Sequence, residues 1–224
     1  MSKNLFKRLI TSLILLVILI IVIFSYNIIF ILSLLTLCFL VCLEATSIFE
    51  KIINKDKTKK KFNSKFLFLN IATFLYVFLI FFYLSHQIYK IEGPIFFLLI
   101  ISVCFFSDIG GYFIGKSVGG KKLTKISPNK TIAGTIGSFI FSLIPLFFIV
   151  QLEYLDLELK FKTILLIILI SFISQVGDLF ISYLKRKAKI KDTGKILPGH
   201  GGILDRVDGI IFALPFSYFI LKII

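Results

Sequence analysis

Long runs of apolar residues alternate with short clusters of lysine and arginine along this chain. Seven of the apolar runs are each long enough to cross roughly 30 Å of hydrocarbon as an α-helix. They cover residues 9–25, 28–49, 66–85, 94–115, 132–150, 163–183 and 203–220. The pattern therefore predicts an all-α fold, a polytopic membrane helix bundle with about seven transmembrane helices and the lipid bilayer as its solvent.

The composition agrees with a membrane protein. Hydrophobic residues make up 58% of the chain and the mean hydropathy is +0.99, whereas soluble domains contain roughly 45–50% apolar residues. The formal net charge is +14, but the basic residues lie between apolar runs and not along one soluble face. The charge therefore reflects membrane topology, and we expect no nucleic-acid partner.

The loops alternate between many and few basic residues, which predicts the orientation, because short cytoplasmic loops carry the excess of lysine and arginine. Segments 1–8, 50–65, 116–131 and 185–206 hold 22 of the 26 basic residues. The amino terminus and these loops are therefore predicted to face the cytoplasm from the inner (plasma) membrane. Because no internal repeat or linker is evident, residues 1–224 are predicted to form one domain.

Acidic residues occur within the predicted spans, and four of them stand out: Glu44, Asp108, Asp178 and Asp208. Inserting such a charged side chain into the bilayer costs roughly 2.5–3.5 kcal/mol, so each is expected to have a structural or functional reason for its position. All of them lie on the predicted cytoplasmic side. For Glu44, a lysine partner at the interface and a functional role both stay open. The other three lie in glycine-rich, polar sequence that favours function.

Two polar segments lie at the end of the fourth predicted span and in the loop that follows it. Asp108 begins a glycine-rich stretch, 108–116, and glycines let another backbone or a ligand approach closely. The hydroxyls of Ser127 and Thr131, the charge of Lys130 and a helix start predicted at Thr131 would together form a phosphate cradle.

The segment 177–208 combines carboxylates with basic side chains. The carboxylates offer hard oxygen ligands suited to Mg²⁺, and they are Asp178, Asp205 and Asp208. The side chains that offer positive charge to a polyphosphate are Lys185, Arg186, Lys191, His200 and Arg206. Glycines on both sides of His200 expose its ring and backbone amides, as an anion site would. The remaining lysines are expected to be solvated, namely Lys187, Lys189 and Lys195.

The segment 182–208 resembles the signature of the phosphatidate cytidylyltransferase family, the CDP-diacylglycerol synthases. Its elements are Ser-x-Leu-Lys-Arg, Lys-Asp-x-Gly and Leu-Pro-x-His-Gly-Gly-x-x-Asp-Arg-x-Asp. Segments 108–115 and 127–131 resemble two further family blocks. The resemblance implies a nucleotidyltransferase that transfers CMP from CTP to phosphatidic acid, giving CDP-diacylglycerol and pyrophosphate for phospholipid biosynthesis. It also implies Mg²⁺, alone or with a potassium ion, held by paired aspartates that map onto Asp178 and Asp205.

The residues and the resemblance together give a candidate site. The catalytic candidates are Asp178, Asp205, Asp208, Lys185 and Arg206, and the three aspartates are also the metal-ligand candidates. The substrate-binding candidates are Asp108, Ser127, Lys130, Thr131, Ser182, Arg186, Lys191, Asp192, His200, Gly201 and Gly202. Within the predicted domain, residues 1–93 are expected to form N-terminal helices and residues 94–224 the catalytic core.

Two positions depart from the family pattern. The family usually has glutamate where this chain has Ala133 and Ile181. Roles of those glutamates therefore do not carry over, whereas the metal and phosphate candidates are intact.

Other functions stay open alongside cytidylyl transfer. A CTP-dependent lipid kinase of the polyprenol or phytol type resembles the family in its membrane core, but its neutral hydroxyl nucleophile would need a general base. A transporter would typically have broken helices near the midplane and inverted repeats, whereas here the polar residues cluster at one face. A structural anchor explains the apolar spans but not the motif. A homodimer stays open as an assembly.

Overall fold

The computed structural model describes residues 3–53, 64–124, 127, 130–151 and 160–223. Within these ranges every regular element is helical, apart from two isolated β-bridges. The helices are α1 (Lys3–Ile23), α2 (Asn27–Ile53), α3 (Ser64–Leu75), a π-helical segment (Tyr76–Phe82), α4 (Tyr83–Val118), α5 (Ile132–Ser142), α6 (Ile144–Gln151), α7 (Phe161–Lys187), α8 (Leu204–Val207) and α9 (Ile210–Ile223). Most of the predicted basic loop 50–65 lies outside the described residues.

Among the described residues, four helical stretches are long and apolar enough to cross a membrane. They are Asn27–Ile53, Ser64–Val118, Ile132–Gln151 and Phe161–Lys187. The second stretch contains two of the predicted spans, which are separated by a kink where Gly93 has a φ of +85° and is followed by Pro94. An all-α membrane protein is thereby confirmed, while the number of seven spans and their ends stay predictions.

The last apolar run forms a helix later than its pattern indicates. Residues 203–209 form α8 and a turn, and α9 begins at Ile210. The carboxylate of Asp208 accepts a hydrogen bond from the backbone N–H of Gly209 at 2.9 Å. A local side-chain acceptor of this kind competes with helical hydrogen bonding and favours a turn. Hydropathy alone does not reveal such a turn.

The chain forms two compact units. The first unit comprises Met1–Tyr83 and Leu184–Val207, and the second comprises Leu84–Tyr183 and Asp208–Ile224. Each unit joins segments that are distant in sequence. The predicted division at residue 93 therefore does not coincide with a unit boundary, and the single domain stays a prediction.

In the first unit, α2 buries one face. The buried apolar residues of that face are Phe30, Leu34, Cys38, Val41, Ala45 and Ile48. Their spacing of three and four residues is that of a single helix face. Glu44 lies on the same face and is only 5% exposed. The helix therefore places the carboxylate of Glu44 in the core of this unit. There, α2 packs against α8.

In the second unit, α4 and α5 cross at small residues. The contact is formed by Gly110, Gly111 and Gly115 on α4 and by Gly134, Gly137 and Ser138 on α5. A Cβ atom on Gly110 would lie 2.5 Å from the carbonyl oxygen of Gly137 and from Cβ of Phe141. Small residues let helix backbones approach closely within a membrane. Of the two roles left open for these glycines, the approach of another backbone is the one observed.

We expect Gly110→Ala to destabilise the protein by about 1–3 kcal/mol, because the added methyl group would push the α5 backbone away. Gly111→Ala is the matched control, since its Cβ would be within 3 Å only of the hydroxyl of Ser138, which can rotate away. Thermal unfolding of both variants in detergent checks the prediction. Equal melting temperatures for the two variants would contradict it.

Candidate active site

Glu44 is held by the loop that precedes α8. Its Oε1 accepts a hydrogen bond from the backbone N–H of Ile203 at 3.0 Å, and its Oε2 accepts one from Leu204 at 2.9 Å. The hydroxyl of Thr193 donates to Oε2 at 2.7 Å. Both carboxylate oxygens are thus engaged by the loop, and no lysine partner of Glu44 is found among the described residues.

Asp205 forms a buried ion pair with Lys185. Its Oδ1 lies 2.7 Å from Nζ of Lys185, and the two side chains are only 6% and 14% exposed. Its Oδ2 accepts hydrogen bonds from the backbone N–H groups of Thr193 at 2.7 Å and Gly202 at 3.0 Å. Burial raises the pKa of the Asp205 carboxyl, but the hydrogen bonds from these three donors outweigh burial and hold the pKa below its ordinary value of 3.8. Asp205 is therefore ionised at neutral pH.

Thr193 connects the two carboxylates. Its hydroxyl oxygen lies 2.7 Å from Oε2 of Glu44 and 3.0 Å from Oδ2 of Asp205, and the residue is 3% exposed. The sequence gives no signal for this role, because Thr193 occupies the variable position of the Lys-Asp-x-Gly element. We refer to Glu44, Lys185, Thr193 and Asp205 as the carboxylate cluster.

Two glycines make room for the carboxylate of Glu44. A Cβ atom on Gly194 or on Gly202 would collide with its oxygens. The backbone amide of Gly202, which the sequence assigns to a phosphate, donates to Asp205. The anions that face this part of the loop in the structure are therefore carboxylates of the chain itself, and substrate contact by Gly202 stays a prediction.

A tight turn positions His200. Its backbone N–H donates to the carbonyl of Leu197 at 3.0 Å, and Gly199 between them has a φ of +79°, as the third residue of a type II turn requires. The ring nitrogens of His200 lie 2.6 and 3.1 Å from the hydroxyls of Thr11 and Ser12. Both hydroxyls belong to α1, whose sequence is that of a plain apolar anchor. Phosphate contact by His200 stays a prediction.

A basic cavity of about 580 Å³ lies in the first unit. It is lined by Lys191, Asp192, Gly194, Lys195, Leu197, Pro198, Gly199, His200, Gly201 and Arg206. Its volume is within the roughly 300–1,000 Å³ typical of small-molecule sites. Lys195, which is expected from the sequence to be merely solvated, contributes to the lining. With three cationic side chains against one carboxylate, the cavity suits an anionic small molecule.

In the second unit, Asp178 on α7 forms an ion pair with Lys130. The ammonium group of Lys130 contacts Oδ2, and the hydroxyl of Ser182 donates to Oδ1 at 3.2 Å. The side chains of the ion pair are 29% and 23% exposed, so the pair is only partly buried by the protein. Next to Lys130, the hydroxyl of Thr131 accepts from the N–H of Gly134 at 3.0 Å. The predicted helix start is thus observed, with Thr131 as its N-cap.

Asp208 packs against α7 just before Asp178. A Cβ atom on Gly177 would lie 2.8 Å from the carbonyl oxygen of Asp208, so this glycine is what allows the close approach. Asp208 itself is 9% exposed. Asp108 lies on α4 and is exposed, while Ser127 lies in the loop before α5.

The structure divides the predicted site residues between the two units. The first unit holds Lys185, Arg186, Lys191, Asp192, His200, Gly201, Gly202, Asp205 and Arg206. The second unit holds Asp108, Ser127, Lys130, Thr131, Asp178, Ser182 and Asp208. Direct contacts join Lys185 to Asp205, and Lys130 and Ser182 to Asp178. The guanidinium group of Arg206 donates to the backbone carbonyl of His200 at 2.8 Å.

The predicted metal ligands are three aspartates. In the part of the chain that the structure describes, no group of three or more His, Cys, Asp or Glu side chains is arranged to hold a metal ion. Mg²⁺ commonly binds through one or two carboxylates and completes its shell with water and substrate phosphates. The partly exposed carboxylate of Asp178 fits that mode, whereas Asp205 is buried and engaged by Lys185 and two backbone amides.

Comparison with known proteins gives a consistent set of matches. A family model described as the cytidylyltransferase family matches residues 7–224. Over 121 residues, 52% of this chain and 44% of the relative, the chain is 45% identical to the phosphatidate cytidylyltransferase of Bacillus subtilis (strain 168). Over 132 residues, 58% of this chain and 48% of the relative, it is 41% identical to that of Helicobacter pylori (strain ATCC 700392 / 26695). The matched part is thus about half the length of these relatives.

Proposed function

The chain belongs to the cytidylyltransferase family, and we therefore propose that it transfers CMP from CTP to phosphatidic acid, giving CDP-diacylglycerol and pyrophosphate. The relatives named above are phosphatidate cytidylyltransferases, and the chain matches them at 41–45% identity. The segment that resembles the family signature, 182–208, supplies the lining of the basic cavity and all members of the carboxylate cluster except Glu44.

The basic cavity is the observation that carries this proposal. CTP bears several negative charges on its phosphate chain, and lysine and arginine bind phosphate through charge-assisted hydrogen bonds. Lys191, Lys195 and Arg206 are exposed at the cavity. The cavity volume of about 580 Å³ is adequate for a nucleotide-sized ligand. We assign this cavity to CTP.

The proposed reaction needs charge neutralisation and alignment more than it needs a general base. An oxygen of the phosphatidate phosphate forms a bond to the α-phosphorus of CTP, and the bond from that phosphorus to the β-phosphate oxygen breaks, which releases pyrophosphate. The nucleophile is already an anion, so no proton has to be removed. Lys191 and Arg206 neutralise phosphate charge, and Lys185 and Asp205 are the buried groups that maintain the geometry of the site.

A magnesium ion is part of the same proposal, alone or with a potassium ion. Asp178 is the ligand that we propose on the geometry, whereas ligand roles of Asp205 and Asp208 rest on the resemblance alone. When bound, the ion would neutralise phosphate charge and align the reacting groups. The geometry supports Asp178 better than Asp205, because its carboxylate is less buried, and Mg²⁺ commonly completes its shell with water and substrate phosphates.

We propose further that the basic cavity faces the cytoplasm from the inner membrane. The loops rich in lysine and arginine support this orientation through the bias of cytoplasmic loops toward basic residues. Basic residues near an anionic membrane surface would also attract the head group of phosphatidic acid.

The test is an assay of the purified full chain in phospholipid nanodiscs with CTP, phosphatidic acid and Mg²⁺. We expect CDP-lipid and pyrophosphate in equal amounts, and no pyrophosphate when phosphatidic acid is omitted. Folded protein that forms no CDP-lipid but phosphorylates a prenol with CTP would replace the proposal with the kinase alternative.

Lys191→Gln is expected to raise the KM for CTP roughly tenfold, because it removes one charge-assisted contact, worth about 1.5 kcal/mol, from the cavity. Lys187→Gln is the matched control, since Lys187 is an exposed lysine at the end of α7 that does not line the cavity. Steady-state kinetics with CTP as the varied substrate measures both. An equal rise in the two variants would indicate a general effect of charge and would remove Lys191 from the site.

A further inference from the structure

Glu44 is a buried carboxylate for which the sequence leaves two interpretations open, a lysine partner at the interface and a functional role. The proposed reaction does not use it. It lies on α2, and the groups it binds are 149 to 160 residues further along the chain. We propose that Glu44 is a positioning residue, which holds the loop 193–204 so that Asp205 and Lys185 keep the geometry that the reaction needs. This inference rests on the proposed function.

The hydrogen bonds of Glu44 all come from that loop. Backbone N–H groups of Ile203 and Leu204 and the hydroxyl of Thr193 donate to it, at 2.7 to 3.0 Å. A buried carboxylate is tolerated only when its oxygens are well satisfied. Among the described residues, the side chain of Glu44 makes no hydrogen bond to its own helix, so what it stabilises is one conformation of the loop.

Thr193 transmits the position of Glu44 to Asp205. A hydroxyl has a single hydrogen, and the oxygen of Thr193 is closer to Glu44, at 2.7 Å, than to Asp205, at 3.0 Å. The hydroxyl therefore holds Thr193 beside Glu44, and the backbone N–H of Thr193 donates to Asp205 at 2.7 Å. The position of the Asp205 carboxylate, and with it that of Lys185, thus depends on Glu44.

The loop is shaped to receive this carboxylate. Gly194 and Gly202 lie against Glu44 so closely that a Cβ atom at either position would collide with its oxygens. Of Glu44, Gly194 and Gly202, Gly194 also lines the basic cavity. In Glu44→Gln the side chain keeps its size but presents an amide N–H₂ toward backbone donors, so at least one of these donors loses its acceptor.

The experiment compares Glu44→Gln with Glu50→Gln in the purified full chain. Glu50 is an exposed glutamate on the same helix and serves as the matched control. Three quantities are measured: amide hydrogen exchange in the peptide that covers 193–204, and kcat and KM for CDP-lipid formation. We expect Glu44→Gln to speed exchange in this peptide at least tenfold and to lower kcat at least tenfold, with a smaller change in KM for CTP. Glu50→Gln should remain within twofold in all three.

A second pair of variants covers the case in which Glu44→Gln does not fold. Thr193→Val removes the hydroxyl at nearly constant volume and is expected to lower kcat about tenfold. Thr193→Ser retains the hydroxyl and is expected to recover most of that loss. A purely steric role of Thr193 would give the opposite order, because valine fills the site better than serine does, and that order would overturn the proposal.

The exchange and activity measurements separate the possible failures. Unchanged exchange in Glu44→Gln would overturn the claim that Glu44 holds the loop. Faster exchange with unchanged kcat would overturn the positioning role. If the parent protein forms no CDP-lipid, the proposed function fails, while the exchange comparison still decides whether Glu44 holds the loop.

Discussion

Asp205→Asn is expected to lower kcat for CDP-lipid formation by about 100-fold or more, the scale observed when one charged or hydrogen-bonding group is removed from a preorganised site. The substitution leaves Lys185 as a buried ammonium group, 14% exposed, without its counter-charge. It also turns an acceptor of two backbone N–H groups into a group that carries donors of its own. The geometry of the carboxylate cluster should therefore be lost together with its charge balance.

The measurement is kcat from initial rates of CDP-lipid formation, with the melting temperature of each variant measured in parallel. Glu50→Gln is the control, because it removes one negative charge from an exposed position of the same unit. Retention of more than a fifth of the parental kcat by folded Asp205→Asn would show that the cluster is not needed for turnover. Loss of the folded state would shift the comparison to Lys185→Met, which removes the other member of the pair.

Asp178→Asn is expected to lower kcat on a similar scale, about 100-fold, and to raise the Mg²⁺ concentration needed for half-maximal activity. Asp178 is partly exposed and bonded to Lys130 and Ser182. The amide of asparagine keeps the size of the side chain and one acceptor, but it is a poor ligand for a hard divalent cation. A Mg²⁺ titration of activity measures both effects.

Lys130→Met distinguishes a metal role of Asp178 from a role as the partner of Lys130 alone. It breaks the same ion pair but leaves the carboxylate in place. If Asp178 binds Mg²⁺, only Asp178→Asn should increase the Mg²⁺ requirement, whereas equal behaviour of the two variants would assign Asp178 to the ion pair alone. Glu92→Gln, at an exposed glutamate on α4, is the control for loss of one negative charge in the second unit.

The helices could be predicted from the sequence because lipid imposes a local rule. Backbone groups in hydrocarbon must be hydrogen-bonded within the segment itself, so a long apolar run has to be helical. The predicted spans 28–49 and 163–183 accordingly lie inside α2 and α7. The rule fails at 203–209, where Asp208 is a local acceptor that replaces helical hydrogen bonding with a turn.

The candidate site was predictable in its chemistry but not in its pairings. Carboxylates and basic residues in one loop indicate phosphate chemistry whichever atoms they contact, and Lys191 and Arg206 do line a cavity suited to an anion. Nothing in the sequence indicates that Lys185 pairs with Asp205, or that Lys130 pairs with Asp178. Those choices depend on how the helices pack.

The sequence by itself determined that this is a helical membrane protein and which residue types are available for phosphate chemistry, since both follow from local composition and spacing. Only the tertiary structure decided the hydrogen-bond partners of Glu44, whose donors are 149 to 160 residues away. It also decided that Thr193, a position without any sequence signal, connects that carboxylate to Asp205. The physical reason is that a buried carboxylate is stabilised by whichever donors the fold brings within about 3 Å, and short-range pattern does not encode that long-range geometry.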